Sequence, residues 1–104
     1  MSAPNVPAVT GVVVEEAIEF TLFELSRACR VESAELVAFV EEGVLTPSGD
    51  KLQHWRFGQT SLRRARLAVR LARDLELNPP GTALVLDLLD QIESLKSQLR
   101  RLEF

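Results

Sequence analysis

The sequence has only one cysteine and one histidine, Cys29 and His54, and no apolar run of membrane-spanning length. A lone cysteine excludes a disulfide within the chain. One cysteine and one histidine cannot complete a four-ligand zinc site. A bilayer-crossing helix needs about 20 predominantly apolar residues in succession, and no segment supplies them. Glycine-rich phosphate loops, paired carboxylates and nucleophile–base motifs are missing too, so the chain is not expected to be an enzyme or to hold a cofactor or metal. Residues 1–10 carry neither a basic region nor a long apolar stretch, so no signal peptide or membrane anchor is read there. Such sparing use of cysteine fits a reducing cytoplasm, the expected location.

What is present fits one domain. A chain of 104 residues, 46% hydrophobic and 26% charged, is long enough for a single core and too apolar for global disorder. Its charge is unevenly placed. Residues 1–50 hold nine acids and two bases, a net of −7, whereas residues 51–74 hold seven bases and one acid, a net of +6. An acidic first half adjoins an arginine-rich middle.

Residues 1–8, with Pro4 and Pro7, read as a disordered lead-in, extended to residue 10 as a boundary. Val12, Val13 and Val14, with the alternation Ile18-Glu19-Phe20, are compatible with a short strand or hairpin. Thr21 followed three residues later by Glu24 is a capping box, and a helix over about 21–29 follows, with Leu22, Leu25 and Ala28 or Cys29 inward. After the tight connection Arg30-Val31-Glu32, a second helix over about 33–42 carries Leu36, Val37, Phe39 and Val40. Gly43 stands where a left-handed cap is needed, and Val44-Leu45 form an apolar lock. Two short helices so joined have helix-turn-helix spacing.

The turn cluster Thr46-Pro47-Ser48-Gly49-Asp50 and the period-two stretch Leu52-Gln53-His54-Trp55-Arg56-Phe57 predict a small β-hairpin wing. A third helix over about 59–77 has Leu62, Ala65, Val69, Ala72 and Leu75 or Glu76 on its inner face. Asn78-Pro79-Pro80-Gly81 stops it, because proline lacks the amide donor. A last helix over about 81–102 carries Val85, Leu88, Ile92, Leu95, Leu99 and Leu102 in steps of 3-4-3-4-3, a heptad seam. Leu84, Val85, Leu88, Leu89 and Ile92 can pack on the third helix. Little of the chain is left to cover Leu95, Leu99 and Leu102, so a homodimer through this seam is expected.

This order of elements resembles the MerR superfamily of winged-helix regulators. The match is ungapped from Val31 to Leu45, includes Glu41 and Gly43-Val44-Leu45, and extends to Trp55-Arg56-Phe57 and Leu62. Within the superfamily the chain resembles the CbpM family, modulators of the J-domain co-chaperone CbpA. The marks are Phe20-Thr21, Gly43-Val44-Leu45-Thr46-Pro47, Trp55-x-Phe57, Ala68-Val69-Arg70-Leu71, Asp74-Leu75-Glu76-Leu77-x-x-Pro80-Gly81 and Asp87-Leu88-Leu89-Asp90-x-Ile92-x-x-Leu95-Lys96. The resemblance implies a mainly α fold: a MerR-like winged helix-turn-helix over residues 11–77, then a dimerisation helix over 78–104 that packs on the domain and on a second subunit.

The resemblance also implies a mechanism. A CbpM-like modulator binds the J domain of its co-chaperone, covers the surface that meets Hsp70, and lowers co-chaperone and DNA-binding activity. It would then sit in the cytosol, or on the nucleoid through its partner. DNA-binding relatives carry two arginines and a tyrosine on the second helix; the matching positions here are Ala34, Val37 and Ala38, so direct DNA reading is not expected. A J domain presents a basic helix, which makes Glu32, Glu35 and Glu41 the candidate partner-binding residues. Glu32 and Glu35 also suit a helix N-terminus on structural grounds alone.

The arginines offer a second candidate surface. Arg63, Arg66, Arg70 and Arg73 share one helical stripe while Arg64 turns away. The stripe reads as a solvated face, a partner of the acidic half, or a contact for acids on another protein. Trp55 and Phe57 share a face and read as core rather than an exposed anchor. His54 reads as a surface residue and Cys29 as a small buried hydrophobe. A MerR-type transcription regulator and a purely structural dimerisation module remain the alternatives.

Overall fold

Thr21 starts the first helix as its spacing predicts. In the computed structural model, which describes residues 18–102, the Thr21 hydroxyl accepts from the Glu24 amide at 3.1 Å, and the Glu24 carboxylate accepts from the Thr21 amide at 2.9 Å. Helix α1 spans Leu22–Cys29 and ends on Arg30 in the left-handed conformation, φ 59° and ψ 48°. Helix α2 follows at Ser33–Glu41. Gly43 takes φ +80°, and the Val44 amide reaches back to the Phe39 carbonyl at 2.9 Å. That geometry turns Val44 and Leu45 into the core, where they are 4% and 2% exposed.

The expected β-hairpin wing does not form. Among the described residues there are no strands, only two isolated antiparallel bridges, Phe20 with Phe57 and Ser48 with Arg56. Leu52–His54 instead make a turn of 3₁₀ helix. The amides of His54 and Trp55 bond the carbonyls of Lys51 and Leu52 at 2.8 and 3.2 Å, so they are not offered to a facing strand. Period-two character still placed Phe57 correctly: it is fully buried and meets the half-buried Trp55 edge to face, with ring centroids 6.1 Å apart. The lead-in at residues 1–10 and the Val12-Val13-Val14 strand lie outside the described residues.

Helix α3, Gln59–Leu75, buries Leu62, Ala65, Ala68, Val69 and Ala72. Ala68 joins the expected inner face, whereas Leu75 points outward at 56% exposure. Three buried alanines keep the face shallow, which lets neighbouring helices approach closely. Glu76 ends the helix at φ 54°.

Helix α4, Pro79–Leu102, begins two residues earlier than expected. Pro79 and Pro80 occupy its first turn, where a missing amide costs nothing. Asn78 accepts from the Gly81 amide at 2.8 Å through its side chain. The helix packs on both α2 and α3. It does so through Thr82 and Leu86, 0% and 1% exposed, and not through the expected Leu84, Leu88, Leu89 and Ile92, which are 42–59% exposed. Leu86 lies about 160° around the helix from Leu88. One side of α4 therefore meets the domain while the heptad seam faces away. No helix among the described residues is long and apolar enough to cross a membrane.

Candidate interaction surfaces

Helix α2 carries the acidic candidates. Glu32 occupies its N-cap position, yet its side chain makes no capping bond; its carbonyl accepts from the Glu35 amide at 3.0 Å. Glu32 is exposed and Glu35 half-buried, and both line one groove with Arg27, Arg30 and Arg73. Glu41 is exposed but stands apart, about 120° around the helix from Glu35 and about 9 Å further along. It also lies in the last turn, where the helix dipole disfavours an anion. The structure thus brings Glu32 and Glu35 together and leaves Glu41 on its own. Around Glu41 the surface of α2 presents Ala34, exposed, with Val37 and Ala38 half-buried.

The arginines divide as the helical angles predict. Arg63, Arg66, Arg70 and Arg73 are all exposed along α3. Arg64 turns the other way: its Nε donates to the Val44 carbonyl at 2.8 Å and its Nη2 pairs with Asp90 at 3.1 Å, tying α3 to α4. Arg73 donates to the Arg30 carbonyl at 2.6 Å. Arg30, Arg66, Arg70 and Arg73 line a groove between the end of α1 and α3, with Cys29 and Val69 beside them. Among the described residues, Arg66, Arg70 and Arg73 form no ion pair with a carboxylate. Burial pushes the Cys29 thiol above its ordinary pKa, with the Arg66 cation pulling partly the other way.

Arg30 and Arg27 were not singled out by sequence. They sit on another helix from the stripe, and only the packing of α1 on α3 brings them to it. The acidic half and the basic segment do meet in space, at the groove shared by Glu32, Glu35 and Arg73, although not through a direct ion pair among the described residues.

The seam of α4 is the third surface. Val85 is half-buried; Leu88 and Ile92 are each 48% exposed, Leu95 58%, Leu99 59% and Leu102 79%. Exposure along the seam rises toward the end of the helix. Among the described residues no group of histidine, cysteine, aspartate and glutamate side chains is placed to hold a metal ion. His54 stands 3.8 Å from Asp50 with both side chains largely in solvent.

Known proteins are similar to this chain in sequence. The family model described as MerR HTH family regulatory protein matches residues 20–103. The Chaperone modulatory protein CbpM of Coxiella burnetii is 38% identical over 95 residues, covering 91% of this chain and 90% of its own. Those of Pseudomonas putida and Pseudomonas entomophila are 31% and 30% identical over 81 residues, 78% of this chain and 80% of theirs. The chain therefore belongs to the MerR helix-turn-helix family and, within it, groups with the proteins called chaperone modulatory protein CbpM.

Proposed function

We propose that this protein is a chaperone modulator: it binds the J domain of a CbpA-type, DnaJ-like co-chaperone and inhibits its co-chaperone and DNA-binding activity by covering its surface. The observation that carries this reading is the match along nine-tenths of both chains to proteins called chaperone modulatory protein CbpM. Helix α2 supports it. The helix that reads DNA in a helix-turn-helix needs cations toward the phosphates. Here it has no lysine or arginine, and Glu32 and Glu41 are exposed on it. Glu32 makes no side-chain capping bond, so its structural role is confined to the favourable helix dipole and its carboxylate stays open to a partner. The acids complement a basic J-domain helix, and their contribution is to steer encounter and fix orientation more than to set affinity.

The working form is a homodimer paired along Leu88, Ile92, Leu95, Leu99 and Leu102, with Val85 at the edge. Each of these large side chains gains about 1 kcal/mol when a half-exposed surface is covered, so the two copies together gain on the order of 10 kcal/mol before the cost of association. Direct nucleic-acid binding is not part of the function, and the protein acts in the cytosol or on the nucleoid through its partner.

A calorimetric titration with the J domain tests the assignment. Glu32→Lys with Glu35→Lys is expected to weaken binding about tenfold at low salt and less at high salt, where surface charges are screened. Superimposable curves for parent and variant at low salt would remove these two acids from the interface.

A further inference from the structure

The groove between α1 and α3 gathers four arginines from two elements: Arg30 at the end of α1, and Arg66, Arg70 and Arg73 on α3. Its geometry is fixed. Arg30 is held in a left-handed backbone conformation that a residue with a β-carbon adopts only at a cost. The Arg73 guanidinium, 2.6 Å from the Arg30 carbonyl, locks that turn to α3. The lining holds one acid, Asp74, against four cations. Arg66 and Arg70 make no ion pair among the described residues, so the one carboxylate of the lining offsets their mutual repulsion only in part. A surface that keeps such a cluster in a groove is complementary to an anion, and arginine is the cation whose planar fork matches a carboxylate in two places.

We propose that this groove docks a short, extended, acidic peptide segment of a protein partner, rich in aspartate and glutamate. The spacing fits. Arg66 to Arg73 covers about 10 Å of helix, the length of about three residues of extended chain. The surroundings select against nucleic acid. Arg30 and Arg73 also line the neighbouring groove, where Glu32 and Glu35 stand, and Asp74 lines the basic one. A nucleic-acid backbone, anionic along its whole length, runs its phosphates against those carboxylates on leaving the groove. An acidic segment of three or four residues does not. Because the acidic and basic grooves share two arginines, a partner that places a basic group on Glu32 and Glu35 meets the arginines with the adjoining part of its surface. The docking site does not depend on that partner being a J domain.

Fluorescein-labelled tetraglutamate, titrated with the full chain and followed by anisotropy in a salt series, tests the site. Saturable, salt-sensitive binding is expected, weakened about tenfold by Arg66→Ala with Arg70→Ala, since two partly exposed charge-assisted contacts are lost. Arg100→Ala with Arg101→Ala makes the same change in net charge on α4 and is expected to alter the affinity less than about twofold. Arg66 and Arg70 are exposed, so the first variant should melt with the parent; were it to melt lower, Arg66→Lys with Arg70→Lys keeps the charge and must still bind. A labelled duplex of similar size is expected to bind more weakly than the peptide. Absence of saturable peptide binding, equal losses in the two alanine variants, or tighter binding of the duplex through Arg66 and Arg70 would each overturn the proposal.

Discussion

Gly49 shows how narrowly the loop after α2 is specified. It adopts φ +99°, and a β-carbon built there would lie 2.5 Å from the His54 carbonyl oxygen. Gly43 also has positive φ, +80°, but nothing lies within 4 Å of its β-carbon position. Gly43→Ala is therefore expected to cost about 1 kcal/mol from backbone conformation alone, and Gly49→Ala about 2–3 kcal/mol because the loop must also shift. Thermal melts of the two variants check the order, and the reverse order would show that the 3₁₀ turn yields easily. Cys29 gives a second test at this scale. Burial raises its pKa, so at any pH near neutrality less thiolate is present than in the unfolded chain. Alkylation by iodoacetamide should be slow in the native protein and speed up on addition of denaturant; equal rates would contradict the buried site. Single residues were the most legible part of the sequence where the chemistry is local. Thr21 with Glu24 and Gly43 announce their caps because the bonded partners lie within five positions. Arg30, whose place beside Arg73 depends on α3, announced nothing.

At the scale of the element, α4 separates two roles that its sequence superimposes. The 3-4-3-4-3 spacing is so regular that it claims the apolar positions for one face. The domain is in fact served by Thr82 and Leu86, four residues apart on the other side. Leu86→Ala should destabilise the folded domain by about 2–4 kcal/mol, since a fully buried side chain leaves a cavity. Leu95→Asp should leave the domain's fold intact and turn the proposed dimer into a monomer in light scattering at micromolar concentration. A parent chain that is already monomeric under those conditions would remove the pairing role of the seam. The wing fails for a related reason. Alternation from Leu52 to Phe57 reports correctly that Phe57 faces inward, but a turn of 3₁₀ helix satisfies the local amides as well as a facing strand does. In the loop after α2, periodicity identified the buried Phe57 and not the backbone bonding that holds it.

For the whole molecule, the division of charge between residues 1–50 and 51–74 survives folding as two adjoining grooves, one bearing Glu32 and Glu35 and one bearing Arg66 and Arg70, with Arg30 and Arg73 common to both. The chain keeps the helix-turn-helix order of the MerR family and carries no cation on the helix that would read DNA. That combination is the physical content of the reading as a protein-binding modulator. It was visible in sequence because the absence of charge on α2 needs no structure to be counted. The grouping of the surfaces was not, because it depends on α1 crossing α3. The most direct measurement is a pair of titrations on the same preparation: the J domain of a CbpA-type co-chaperone against the full chain, and duplex DNA against the full chain, each across a salt series. Saturable J-domain binding, with DNA binding weak at every salt concentration, is the predicted result; salt-sensitive DNA binding together with no J-domain complex would contradict the account.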